Sequence, residues 1–428
     1  MPSVFPISLG CPKNLTDTEA MLGVLQAKGY RIVTDEETAD IVLINTCAFV
    51  GPAVQEAYAE IEKVILLKKQ GYFGKIVVTG CLVQREKSKI LKKYPEIDTL
   101  VGIGSDIVEA VEKNGQFLAP LPRTLTGQAY RFAATVPHTA YLKIADGCDN
   151  ACAYCTIPRL RGRYRSKPIN DIIKEAEDMA ASGVREISLV AQDTTAYGVD
   201  LYKEYKLAEL LKALTKIDGL DWIRLMYAYP ERVTPDVLQV MAGEPKICHY
   251  LDMPIQHIAD SVLKRMRRAG STGALLKAKI ELIRKFLPDI ALRTTLMAGY
   301  PGETEADFKK LKDFVRECEF SKLSVFAYSR EKGTKAAALT GQLPEAVKNR
   351  RSAELMEEQS RVVDRKNKKM IGKRLKILMD MPQFGRSQYE APDIDGGVQI
   401  TARLAPGRFA DVEITGAEGY ILKANVLT

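Results

Sequence analysis

The chain has 428 residues, 46% of them hydrophobic and 27% charged, with eight cysteines and a formal net charge of +8. That length suits two or three domains at roughly 150 residues each, and the composition excludes a disordered or fibrous chain. A surplus of this size fits RNA, a ribosome or no polyanionic partner at all.

MPSVFPISLG holds no basic-then-apolar leader, and no later segment stays apolar for a bilayer's width, so a cytoplasmic location with no membrane partner is expected. In that reducing compartment the cysteines read as metal ligands or catalytic thiols rather than disulfides. From residue 4 to about 115, the runs VFPISL, ADIVLIN and GKIVVT alternate with the helix-length segments Asp17 to Lys28 and Ala53 to Gln70. The alternation predicts an α/β unit with a parallel sheet. Its strands run into Cys11, Cys47 and Cys81, at the carboxyl edge where open parallel sheets bind ligands. Each of these cysteines also suits a small buried side chain. Phe117 to Gln128, FLAPLPRTLTGQ, reads as a linker.

Six further strands are predicted: YLKIA from Tyr141, REISLV from Arg185, WIRLMY from Trp222, CHYLDM from Cys248, IALRTTLM from Ile290 and KLSVFA from Lys322. Helices are expected between them over Pro168 to Ser182, Leu207 to Lys216, Asp260 to Phe286 and Glu303 to Glu317. The pattern is an incomplete, six-unit version of the (β/α)8 barrel, whose chemistry sits at the carboxyl ends of the strands. Gln192, Asp193, Gln256, His257 and Arg293 fall at or near those ends, as contacts for a cofactor or a substrate carboxylate, or as hydrogen-bonding support. Cys248 and Cys318 are read as core. A charged helix from about Pro344 to Met370 leads to short strands in 373–428, expected to form a small antiparallel, OB-like barrel. That last segment has seven basic and seven acidic residues, whereas a phosphate-gripping domain needs a cationic surplus.

GCDNACAYC sets Cys148, Cys152 and Cys155 in a CxxxCxxC loop after a strand. Three thiolates at this spacing hold three irons of a 4Fe-4S cluster and leave the fourth open for a ligand. S-adenosylmethionine (SAM) chelating that iron is open to one-electron cleavage to a 5′-deoxyadenosyl radical, and Tyr154 is placed to pack near its adenine. The alternative is a structural zinc, for which His138 and Cys248 are poorly spaced as a fourth ligand. Arg161, Arg163 and Arg165 follow in a basic loop that suits an acidic partner surface or plain solvent. No acid, base or nucleophile is singled out.

CDNACAYC with TIPRLRGRYRSK resembles the cluster loop of the radical SAM methylthiotransferases, and SLGCPKNLTDTE, NTCAFV and TGC resemble that family's N-terminal domain. The resemblance spans nearly the whole chain. It implies a second 4Fe-4S cluster on Cys11, Cys47 and Cys81, and a closing TRAM domain that engages a macromolecule. Domains are expected at 1–125, 134–365 and 370–428. Within the family, SLGCPKNL, AQDTTAYG, DMPIQHIADSVLKRMRR and LRTTLMAGYPGET are similar to the branch that modifies an aspartate of the twelfth small-subunit ribosomal protein. The tRNA-modifying branch carries Gln-Met-Asn and Gln-Asn-Val-Asn where this chain has Pro12-Lys13-Asn14 and Gln192-Asp193-Thr194-Thr195. Ala48 stands where glycine is expected and leaves the ligands untouched. The implied reaction is methylthiolation of an unactivated β carbon, one SAM giving the methyl group and a second the radical. Electrons would come from a flavodoxin or ferredoxin, and the enzyme would be a monomer. A tRNA adenosine is the alternative substrate, and an Fe-S redox-sensing or RNA-binding module the distant alternative function.

Overall fold

The computed structural model describes residues 1–118, 131–268 and 270–427. The first sheet is parallel, with strands in the spatial order Arg31–Ile32, Ser3–Ser8, Ile41–Thr46, Lys75–Gly80, Thr99–Val101 and Gly115–Phe117. Every residue of Ile41–Thr46 is buried, as a central parallel strand covered on both faces requires. Val42, Ile44 and Val78 pack against Ile61 and Val64 of the helix Gly51–Lys69. Leu43 and Val77 pack on the other face against Leu22 and Leu25 of the helix Pro12–Ala27. Three of these strands are only two or three residues long and carry too little pattern to be legible in the sequence. Phe117, expected to open the linker, ends the last strand instead; positions 119–128 of that expected linker lie outside the described residues.

The helix expected from Asp17 starts five residues earlier, directly on Cys11, with Pro12 at its first position, where proline's missing N–H costs nothing. Its polar residues Lys13, Asn14, Thr16, Asp17, Thr18 and Glu19 are buried: Asn14 and Thr18 bond into their own sheet at Leu9, Asn45 and Ser8, while Lys13 and Asp17 meet Tyr227 and Arg161 of the next domain. There the six expected strands are all present and parallel, ordered Thr139–Lys143, Glu186–Val190, Trp222–Leu225, Ile247–Asp252, Ala291–Ala298 and Lys322–Ala327. Their outward side chains and the surrounding helices form the largest core. The helix expected over Asp260 to Phe286 is two helices, Asp260–Arg265 and Gly273–Phe286. It breaks where Gly270 takes φ +83° and where Thr272 caps the second helix by accepting from the Leu275 N–H at 3.3 Å. Pro235–Gly243 is a further helix with no counterpart in the sequence-based expectation.

After the helix Glu345–Lys368, five strands close a small barrel that is antiparallel except where Gly397–Ile400 runs parallel to Ile421–Val426. The segment 386–395 of this barrel enters the six-stranded sheet from the amino-terminal side of its strands. Arg386 pairs with Glu186 at 2.7 Å, Arg224 donates to the Gln388 carbonyl at 2.6 Å, and Tyr141 donates to the Pro392 carbonyl at 2.9 Å. Asp395 accepts from the Tyr250 hydroxyl at 2.8 Å and meets Arg293 at 3.4 Å. The C-terminal domain thereby fills the lower half of the open barrel. Asp395→Ala strands a buried hydroxyl and half of Arg293's neutralisation, and is expected to cost about 3 kcal/mol, while Asp395→Asn costs less because the Tyr250 bond survives. Calorimetric Tm values of the two variants check the order.

Candidate active site

Cys11, Cys47 and Cys81 stand at the carboxyl ends of adjacent strands, with Ser8 paired to Asn45 and Thr46 to Gly80 in register. The chain's own strand order reverses between the first two, the crevice where such sheets take ligands. Gly10 is required there: at φ +91° a Cβ would lie 2.6 Å from the Cys47 Cβ and 2.9 Å from its Sγ. Ala48 is accommodated in the core behind. Burial pushes the Cys81 thiol up to about 11 and raises Cys47. Burial acts on Cys11 too, but Lys13, Arg161 and the N–H groups of Asn14 and Lys13 outweigh it and hold Cys11 below the usual thiol value, as a helix N-terminus beside cations does. The three thiols lie within one another's electrostatic reach.

Cys148, Cys152 and Cys155 lie on the loop after Thr139–Lys143 and likewise form one electrostatic group. Gly147, at φ +78°, lets that loop pass the Arg163 carbonyl, which a Cβ would meet at 2.1 Å. The loop is tied down by Ala153 N–H to Met266 O at 2.8 Å and by Asn150 to Asp193 at 2.8 Å. Burial pushes Cys148 to about 11 and Cys155 to about 12, so binding a metal centre here must release protons.

The expected cofactor contacts separate by how far their polar atoms are already committed. Both amide atoms of Gln192 are buried without a hydrogen-bond partner, which leaves them for a ligand. Gln256 sits on the rim at φ +73°, a strained conformation for a residue with a Cβ. Tyr154 packs edge-on to Tyr300 at 6.5 Å and lies beside Cys152 and Arg268. Asp193 is saturated by Arg232 at 2.5 Å, Asn150 at 2.8 Å and Thr195 at 2.6 Å, and its network steadies the cluster loop. Arg293 lies lower, between Asp252 at 3.5 Å, Asp395 and the Ser324 hydroxyl. His257 accepts from the Ala259 N–H at 3.0 Å and faces Glu303, and Cys248 and Cys318 are in core clusters.

Glu231 stands in the strand-end run Tyr229-Pro230-Glu231, whereas nothing in the sequence marks Arg268; the Arg268 Nε, beside Cys152, and both Glu231 carboxylate oxygens, beside Arg268, are buried without hydrogen-bond partners. Orphaned polar groups around the triad, with the thiols themselves, fit a polar cofactor bound at an open iron. Arg161 departs most from a solvated loop. It is 2% exposed and pairs with Asp17 at 2.8 Å and Asp146 at 3.2 Å, and its Nη2 reaches the Cys81 sulfur at 3.8 Å. Burial acts against the Asp146 charge, but Arg161 and Lys143 outweigh it and hold that carboxyl well below the usual range. Arg163 is the exposed member, bonded to Asp149 at 2.8 Å. Arg161 thus stands between Cys81 and the residues leading into Cys148, and the carboxyl edge of one sheet faces the carboxyl rim of the other.

Family models match this chain in three blocks: Uncharacterized protein family UPF0004 over residues 3–102, the Radical SAM superfamily over 142–315 and the TRAM domain over 371–427. The fold is also that of a radical SAM methyltransferase, TsrM, from Kitasatospora setae (TM-score 0.59, 13% identity, 78% of this chain and 77% of that one). Fold, loop and central block define a radical SAM enzyme with a TRAM domain, which implies SAM and a 4Fe-4S cluster. The chain is 50% identical over 424 residues, 98% of each chain, to a protein of Elusimicrobium minutum named ribosomal protein uS12 methylthiotransferase RimO. It is 45% identical to the protein of that name from Myxococcus xanthus, over 99% of this chain and 92% of the relative. It belongs to the radical SAM methylthiotransferase family, in the group of ribosomal protein uS12 methylthiotransferases.

Proposed function

We propose that this enzyme transfers a methylthio group to the β carbon of an aspartate in ribosomal protein uS12. The observation that carries the mechanism is the facing of the two sheet edges, with Arg161 between Cys81 and Asp146. Cys148, Cys152 and Cys155 are assigned to the SAM-binding 4Fe-4S cluster, and Cys11, Cys47 and Cys81 to a second one. Tyr154, Gln192 and Gln256 are assigned to the SAM site, with Asp193 and Arg293 supporting it from behind. When bound, SAM and its cluster supply the radical chemistry needed at a carbon that no side-chain base readily deprotonates. The chain's own residues hold the thiols at two opposed rims and lock the loop through Asp193, Arg232 and Asn150.

Three domains at 1–125, 134–365 and 370–428, a cytoplasmic monomer, and a flavodoxin or ferredoxin as electron donor complete the proposal. No helix among the described residues is long and apolar enough to cross a membrane. The neutral C-terminal segment supports a protein substrate over RNA. The test is mass spectrometry of uS12 after anaerobic incubation with reconstituted, reduced enzyme and SAM. A gain of one methylthio group on an aspartate is expected. No gain on the protein, together with a methylthiolated tRNA adenosine, would move the substrate to tRNA.

A further inference from the structure

We infer that Lys13 grips the carboxylate of the substrate aspartate and so sets the substrate class of this site, an inference that rests on the aspartate reading above. Lys13 follows Cys11 by two residues and is 8% exposed. Among the described residues it makes neither a hydrogen bond nor an ion pair, and its ammonium lies 3.1 Å from the centroid of the Tyr227 ring. A buried ammonium is costly without an anion to accept its protons, and a ring face replaces only part of its hydration. Cys11, Asp252 and Cys47 lie within its electrostatic reach, but none of them is within hydrogen-bond distance of the ammonium, and the Asp252 oxygens already serve Arg293 at 3.5 Å and the Tyr227 N–H at 3.2 Å.

Tyr227 holds φ +58°, a strained state for an aromatic residue, and strain of this kind collects at ligand sites. It lies on the barrel rim just beyond the strand Trp222–Leu225, whereas Lys13 belongs to the N-terminal sheet domain. The ammonium therefore sits in the seam between the two cysteine-bearing rims. An aspartate's β carbon is one bond from its carboxyl carbon, so a cation holding the carboxylate in this seam also fixes the carbon to be modified. An adenosine offers no carboxylate.

The test uses the reconstituted full-length enzyme and two fluorescent peptides spanning the modified position of uS12, one with the aspartate and one with asparagine in its place. Binding is measured by anisotropy and modification by mass spectrometry. The wild type is expected to favour the aspartate peptide by about 100-fold in Kd, Lys13→Met to reduce that preference to within about threefold, and Lys13→Arg to retain most of it. Iron and sulfide contents should be equal in all three proteins. A preference that survives Lys13→Met overturns the assignment, as does a wild type with no preference. Loss of iron in Lys13→Met also overturns it, because Lys13 would then serve the cluster rather than the substrate. A wild type that ignores uS12 itself while modifying tRNA would instead sink the underlying aspartate reading.

Discussion

In the Cys47→Ala variant, 5′-deoxyadenosine is expected to be released while methylthiolated uS12 falls by more than about 100-fold, beyond what loss of a mere supporting contact costs a metal site. Cys152→Ala should abolish both products. The asymmetry follows from where the two thiols are built. Cys47 ends the fully buried strand Ile41–Thr46 in a sheet with its own two cores, whereas Cys152 lies on a loop held by Met266, Ala336 and the Asp193 network of the barrel. Removing the Cys47 sulfur leaves the barrel's contacts whole, and trimming one sulfur from a buried site costs only about 1 kcal/mol, so the fold persists. The two products are read from one reaction by chromatography and mass spectrometry. Methylthiolation that survives Cys47→Ala would end the assignment of a second cluster to the N-terminal sheet.

Much of this site was legible because its signals are local. A thiol that follows an apolar run by one to three residues, three times over, specifies a sheet edge, and CxxxCxxC on a post-strand loop specifies its own geometry. The parts that escaped are set by contact between domains. Nothing in the sequence of Pro12–Ala27 shows that Asp17 is paired across a domain boundary, where Lys143 and Arg161 of the docked barrel meet it. Arg161 lies in a run with Arg163 and Arg165 that differs in nothing visible to sequence, yet it is buried while Arg163 is 88% exposed at its side chain. Likewise, Asp395 looks like one acid of a neutral C-terminal segment until the five-stranded barrel carries it into the larger one.

Arg161→Met is expected to lower the ratio of methylthiolated uS12 to 5′-deoxyadenosine and to destabilise the enzyme by about 3–5 kcal/mol, the cost of breaking a buried pair from one side. Two cations and two carboxylates balance at this seam, Arg161 and Lys143 against Asp17 and Asp146. Methionine in place of Arg161 leaves one buried negative charge in excess, and Cys81 loses the cation that lies 3.8 Å from its sulfur. Because Asp17 belongs to the N-terminal sheet domain and Asp146 to the barrel, the excess charge pushes the two rims apart, which weakens sulfur transfer more than SAM cleavage. Lysine is a poor substitute, since one ammonium cannot reach Asp17, Asp146 and Asn14 as the guanidinium fork does. Adding Asp17→Asn to Arg161→Met restores the balance, with Lys143 left to Asp146, and should recover most of the lost Tm in calorimetry. If the double variant is no more stable than Arg161→Met, charge balance is not what holds the seam closed, and the apolar contacts around Leu15 and Tyr227 take that role.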